Sequence, residues 1–312
     1  MTGGISNNPE RAHTLKEKIK AGSEKLGFCF CGFTDASPLS DFVLFTDWIA
    51  QKHYGTMAYL AREDTLRKRS DFEELFSGVK SICVLGVPYH LFDSRYPLDV
   101  ASFARYRDYH DVIPEMALRL MEEVGINDFR VCVDSSPVLE RSLAVRAGLG
   151  WIGKSSMFIH PRFGSAVLLC EIFLKEVICP DPPYSGEHCG TCRRCIDVCP
   201  ANCIEAETRT IRAEDCAAYL TIEHKTDFNS SQRETIGRNV FGCDICLKAC
   251  PWNHRNEIST PLPLQENLPV PEDLDLSDAE FKQKYACSPI LRVKNKGLKR
   301  NIEASLKNQR LR

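Results

Sequence analysis

Nine cysteines fall between positions 189 and 250 of a 312-residue chain, and their spacing restricts the fold more than any other feature. Cys189-x2-Cys192-x2-Cys195-x3-Cys199-Pro200 puts three thiolates in one tight loop and a fourth at the start of a short helix. That is the run that binds a [4Fe-4S] cubane on its first three cysteines and hands the fourth to a neighbouring cluster. A second half-motif, Cys243-x2-Cys246-x3-Cys250-Pro251, repeats the end of the pattern without its first cysteine, for which Cys216 is the candidate. Exchanging the fourth ligands completes two sets: Cys189, Cys192, Cys195 and Cys250 for one cluster, Cys199, Cys216, Cys243 and Cys246 for the other. Cys203 is left over and reads as packing. Paired CxxC steps also make zinc ribbons, but zinc explains neither the third cysteine at this spacing nor the two C-x3-C-P steps.

The other cysteines read differently. The chain has sixteen, and its N-terminus, MTGGISNNPERAHTLKEK, lacks the apolar core of an export signal, so a reducing cytoplasm and free thiols are expected. Cys29, Cys31, Cys83, Cys132, Cys170 and Cys179 are scattered, several in apolar strand-like runs, as small buried hydrophobes are. No membrane span is expected, because the most apolar stretch, Ala166 to Leu174, is short and interrupted by Glu171. With 43% hydrophobic residues and a net charge of −2, neither disorder nor wholesale polyanion binding fits.

Three segments follow. Through residue 177, helical stripes (Leu15, Ile19, Gly22, Leu26; Phe42, Phe45, Trp48, Ile49; Val112 to Val124) alternate with strand-like runs (Phe28 to Phe33, Ser81 to Val87, Arg130 to Val133, Ala166 to Phe173). This is an α+β pattern with α/β-like alternation. Ser136-Pro137 has the form of a helix start. The Pro- and Gly-rich stretch 178–190 opens the ferredoxin-like double-cluster module, expected over 178–256. Residues 257–312 read as a proline-punctuated linker and a short basic helical tail. From Leu291 to Arg312 eight basic side chains face one acidic residue, Glu303; this is a solvated face or a contact for nucleic-acid phosphates.

Two cubanes close together pass electrons singly, and a bare carrier does not need the preceding 177 residues. A substrate or cofactor site does. No G-x-G-x-x-G follows a strand, so a nicotinamide site is not indicated.

ARYRDYH (104–110), VDSSPVLERSLAVRAGLGWIGK (133–154), FGS (163–165), AYLTIE (218–223) and FGCDICLKACPWN (241–253) together resemble the epoxyqueuosine reductase family. The resemblance covers most of residues 50 to 255. It implies that the first domain holds a base-off cobalamin beside the two [4Fe-4S] clusters. The implied reaction is the last step of queuosine biosynthesis, two-electron reduction of the epoxide on the wobble base of tRNA to an alkene. Implied partners are tRNA carrying epoxyqueuosine and an external low-potential electron donor of flavodoxin or ferredoxin type, with a cytoplasmic monomer expected. The C-terminal helical-repeat extension of some members is not expected here. Related readings are a cobalamin and iron–sulfur reductase of a small molecule, of the reductive dehalogenase kind, and a non-enzymatic electron carrier.

Site residues carry over by motif. By itself Asp134 reads as a capping residue; the resemblance makes it the proton donor to the departing oxygen. A carboxyl acid at neutral pH would then need a raised pKa, which an apolar corrin face could provide. Met57, Tyr106, Lys154, Gly164, Ser165 and Cys170, with Asp134, are the candidate cobalamin contacts. Cys170 stands where the family usually has glycine. His110 reads as structural, since a base-off site needs no protein ligand.

Overall fold

The computed structural model describes residues 9–94, 97–254, 259–265 and 267–310. The first eight residues, the boundary expected at 256–257 and the last two basic-tail positions lie outside these.

The first body contains α1 (Pro9–Lys25), β1 (Phe30–Asp35), α2 (Phe42–Ala50), α3 (Glu63–Ser70), β2 (Ser81–Pro88), β3 (Asp99–Val100), α4 (Tyr109–Val124), β4 (Phe129–Cys132), α5 (Glu140–Arg146), β5 (Trp151–Ile152), β6 (Phe158–Ile159) and β7 (Val167–Leu174). Its main sheet runs β1-β2-β7-β4, and every pairing is antiparallel. The α/β-like layering is present, with helices on both faces, but the strands are not parallel. All eight residues of β2 are buried, as its unbroken apolar run demands of a central strand covered on both sides. One face packs Cys83, Leu85, Cys170 and Ile172 against Ile19 of α1 and Ile113 and Leu120 of α4. The other packs Ile82, Val84, Cys132 and Phe173 against Phe72, Leu143 and Ala144. The two helices on the first face approach closely at Gly22, where an added Cβ would stand 2.7 Å from Leu120 Cδ1.

The cluster module contains α6 (Arg194–Asp197), β8 (Ile204–Glu205), β9 (Thr210–Ile211), α7 (Ala217–Ile222), α8 (Ser230–Ile236), β10 (Asn239–Phe241) and α9 (Ile245–Lys248). It is fastened to the first body. Strand β10 pairs parallel with β3, and the buried Asp244 carboxylate accepts from both Ser102 N–H and Ser102 Oγ at 2.6 Å.

The C-terminal segment, α10 (Asp278–Lys284) and α11 (Lys294–Arg310), keeps a solvated basic face, with Arg292, Lys294, Lys296, Lys307 and Arg310 exposed, but its other face is docked. Leu298 and Ile302 of α11 join Phe281, Val240 and Phe241 in a third core. Arg300 donates to the carbonyls of His224, Thr226 and Leu220 and lies 4.2 Å from the Phe228 ring centre. Arg292 pairs with Glu223 at 2.6 Å. Charge counted along the chain missed this, because an amphipathic helix buries its apolar stripe whatever its net charge.

Asn301 is 0% exposed and donates to the carbonyls of Thr221 and Val240 at 2.7 and 2.8 Å. Asn301→Leu leaves both buried carbonyls unpaired, at about 1–3 kcal/mol each. The thermal unfolding midpoint is expected to fall by about 5 °C or more.

Candidate functional site

A cavity of about 1040 Å³ opens between α2, α3, the turn after β4, the first turn of α5 and the β8–β9 hairpin. Trp48 Nε1 donates to Ile211 carbonyl at 2.7 Å and so ties α2 to that hairpin. Helix α2 is FVLFTDWIA, yet none of its residues is buried; Val43 and Leu44 are 58% and 49% exposed. Leu44, Phe45 and Trp48 line the cavity. So uncovered an apolar helix marks a binding surface rather than a finished core.

Polar groups on the same walls are also unfinished. Arg69 is 7% exposed and sits 4.9 Å from the Phe45 ring centre. Its Nε and Nη1 are buried without a hydrogen-bond partner among the described residues, as is Trp151 Nε1; both side chains line the cavity. Burial lowers the Arg69 pKa, against the pull of Tyr59 and Glu140. Stranded donors of this kind cost free energy until a ligand accepts from them.

Asp134 follows β4 with φ +48°, a left-handed backbone that an aspartate tolerates at a cost of about 1 kcal/mol or more. Its N–H donates to Glu140 Oε1 at 2.6 Å. Its carboxylate Oδ2 accepts from Tyr109 Oη at 2.9 Å and faces His110 Nε2 at 3.2 Å. Asp108, the N-cap of α4, accepts from the His110 N–H at 3.0 Å and contacts His110 Nδ1 at 2.7 Å. The start of α4 therefore orients the imidazole between two carboxylates. Burial opposes its charge, but the hydrogen bonds to Asp108 and Asp134 win and push His110 up to about 9.

This corrects the raised pKa expected of Asp134. Burial pushes that carboxyl up, but hydrogen bonds from His110 and Tyr109 and the charges of His110 and Arg292 hold it below the usual range. The side chain is 56% exposed into the cavity, so its polar neighbours govern it more than any apolar wall. At neutral pH the proton of this pair sits on His110.

The candidate cobalamin contacts divide. Met57 and Asp134 line the large cavity; the other five stand elsewhere. Tyr106 is buried in the first core, where its hydroxyl accepts from His90 N–H at 3.2 Å. Cys170 points to that same core, on the sheet face away from the cavity. Lys154 Nζ donates to the carbonyls of Gly190 and Cys192 at 2.5 and 3.2 Å, bracing the first cysteine loop. Gly164 and Ser165 meet Asn253, whose Oδ1 accepts from Ser165 N–H at 2.7 Å. Family-like segments thus hold the cluster module as well as the cavity, a distinction that motif position alone does not carry.

The cysteines of the module lie near one another. Cys189, Cys192, Cys195 and Cys250 line a second cavity of about 40 Å³. Cys246 feels the charges of Cys243, Cys216, Cys195 and Cys199, and Cys243 those of Cys216, Asp244 and Cys199. Cys203 is buried with its Sγ 3.6 Å from Cys199 Sγ. The second set reaches toward the large cavity through Cys216, which packs against the same small core as Met57, a cavity residue, and whose N–H donates to the carbonyl of Ala213, another.

Arg69, Arg141, Arg209 and Glu140 line the cavity without having been singled out in the sequence. Arg69 sits in EDTLRKRSD, which reads as a solvated charge run. Glu171, which breaks an apolar strand, was the one visible signal.

Similarity to known proteins follows this division. A family model described as a 4Fe-4S double cluster binding domain matches residues 188–253. One described as epoxyqueuosine reductase QueG, DUF1730, matches residues 69–135. The epoxyqueuosine reductase of Cyclobacterium marinum is 35% identical over 298 residues, covering 91% of this chain and 94% of that one. That of Xanthomonas campestris is 37% identical over 313 residues, covering 93% and 86%. The solved epoxyqueuosine reductase of Streptococcus thermophilus superposes with a TM-score of 0.83 at 26% identity, over 94% of this chain and 81% of that one. An epoxyqueuosine reductase structure with an epoxyqueuosine-modified tRNA-Tyr stem loop gives 0.82 at 26% identity, over 95% and 82%.

Two complete ligand sets correspond to about eight irons per chain. Cys216→Ala is expected to bring anaerobically purified protein to about half that content, and Cys203→Ala to leave it unchanged; iron analysis of both variants decides the ligand assignment.

Proposed function

The chain belongs to the epoxyqueuosine reductase family, and from that membership and the build of the cavity we infer how it acts. It is an oxidoreductase that reduces epoxyqueuosine to queuosine at the wobble position of tRNA, fed by two [4Fe-4S] clusters. The observation that carries this reading is one cavity with Asp134 on one wall and, on another, the segment leading to Cys216. Proton handling and electron delivery meet there.

The walls fit a base-off cobalamin. The bare apolar face of α2 suits a broad macrocycle, and Arg69 and Trp151 offer unpaired donors to amide carbonyls on its rim. Leu44, Phe45, Trp48, Met57, Arg69 and Trp151 are the residues that would hold it. When bound, the cobalt supplies the capacity to collect electrons singly and pass them on in pairs. Of the seven contacts carried over by motif, Met57 and Asp134 are retained in this role.

Removing the epoxide oxygen as water breaks two C–O bonds, forms a C=C bond and consumes two electrons and two protons. An alkoxide leaves poorly, so a positioned acid is required. Asp134 presents Oδ2 to the cavity while His110 holds a proton against it on Nε2 and Asp108 secures Nδ1. The proton reaches the departing oxygen from His110 by way of Asp134. Tyr109, donating to the same oxygen, fixes the carboxylate while the proton crosses. Electrons enter through Cys189, Cys192, Cys195 and Cys250 and leave toward the cavity from the set that includes Cys216, supplied by an external low-potential donor.

The test is single turnover of pre-reduced, cobalamin-loaded protein on tRNA carrying epoxyqueuosine, with the wobble nucleoside read by mass spectrometry. Conversion to queuosine is expected; its absence overturns the reading. Asp134→Asn is expected to slow conversion on the order of a hundredfold or more. Because the pKa of His110 is raised to about 9, its proton is present through the neutral range and lost above it. The rate therefore falls as pH rises through about 9, and His110→Gln removes that fall.

A further inference from the structure

Behind Asp134 lies a second acidic pair that the steps above do not use. Glu171 is 0% exposed at the centre of the sheet, on β7 and in register with Cys132 of β4. Both of its carboxyl oxygens are buried without a hydrogen-bond partner among the described residues. An ionised carboxylate left unpaired at such a position is prohibitively costly, so Glu171 stays protonated. The acid beside it is Glu140, the first residue of α5, which also lines the cavity. Glu140 is the residue that accepts the Asp134 N–H at 2.6 Å, so a single side chain touches both the reacting loop and the buried acid.

We propose that Glu140, backed by Glu171, carries the second proton of the reduction, holding it on the cavity wall beside Asp134 and delivering it there to the departing oxygen after His110 has supplied the first. This rests on the reductase reading above. Its balance is that of the reaction: one proton from the His110–Asp134 pair, one from Glu140, two electrons through the clusters, and one water released. Both protons return from solvent through the cavity mouth.

The surroundings of Glu140 keep it neutral. Burial raises its pKa first, then the charge of Asp134, against the Asp134 N–H and the guanidinium of Arg141, which lower it; the result is about 8. Arg69 on the cavity wall and Tyr109 in the first core both feel its charge. On the sheet side stand Glu171, Cys132 and Cys170, all buried and neutral, their pKa values raised first by burial. With two like acids side by side, one gives up its proton well before the other, and Glu140, nearer the cavity, is the one that yields.

Glu140 thus positions Asp134 through its N–H and carries a proton at the cavity wall, and the test separates these from a purely structural role. Glu140→Gln keeps an oxygen to accept the Asp134 N–H but cannot carry the proton. In wild-type protein, infrared spectroscopy is expected to show, beside the pH-independent protonated-carboxyl C=O band of Glu171, a second such band at neutral pH that disappears as pH rises through about 8 and is absent from Glu140→Gln. In single turnover, Glu140→Gln is expected to slow reduction on the order of tenfold at neutral pH. It should also lose the earlier alkaline fall near 8 while keeping the later one near 9. A wild type that reduces modified tRNA but lacks the second band, or a Glu140→Gln variant with unchanged rate and pH profile, overturns the proposal alone. A wild type that shows the second band but does not reduce modified tRNA overturns the reductase reading and the proposal with it.

Discussion

Eight thiols from segments up to sixty residues apart must be held within reach of two clusters, and as thiolates they repel one another. Much of the tertiary structure serves that convergence. Lys154 braces the first loop from below, Asn253 ties the end of the second half-motif to Ser165, and Asp244 pins the segment between Cys243 and Cys246 to Ser102. Helix α11 closes the far side through Asn301 and Arg300. Each clamp is a hydrogen bond between the module and a distant part of the chain. The module is therefore oriented relative to the cavity, with Cys216 joined to its wall through Ala213.

The cavity shows complementary economics of charge and surface. Its apolar wall is an uncovered helix, and its polar wall carries donors without acceptors, two deficits that one large amide-fringed ligand would relieve together. Around Asp134 the opposite holds, since its N–H and its Oδ2 both have partners. The left-handed backbone of Asp134 is held by Glu140, and its carboxylate by Tyr109 and His110. Strain of this kind persists only where the surroundings over-determine it, which places rigidity at the chemistry and openness at the cofactor wall.

Several features lay beyond the sequence for identifiable reasons. A basic count over the last twenty-two residues suggested a solvated tail, but charge says nothing about the apolar stripe that docks α11. The antiparallel order β1-β2-β7-β4 is invisible in an alternation of helices and strands, because periodicity reports burial and not direction. Cys170 lies in a family-like stretch, yet strand alternation turns it to the face opposite Glu171, away from the cavity. The lowered pKa of Asp134 follows from its placement beside His110, twenty-four positions earlier in sequence.

The sequence by itself determined that residues 188–253 form a double [4Fe-4S] module, because cubane geometry dictates short-range cysteine spacing that survives in the linear order of residues. It also determined the buried central strand and the presence of a site around Asp134, since apolar runs and contiguous motifs are local. Only the tertiary structure decided which motif residues face the cavity and which brace the module, where the proton sits among Asp108, His110 and Asp134, and that Glu140 and Glu171 meet behind them. Those are properties of distance and desolvation between groups remote in sequence, and neither is written in composition or spacing.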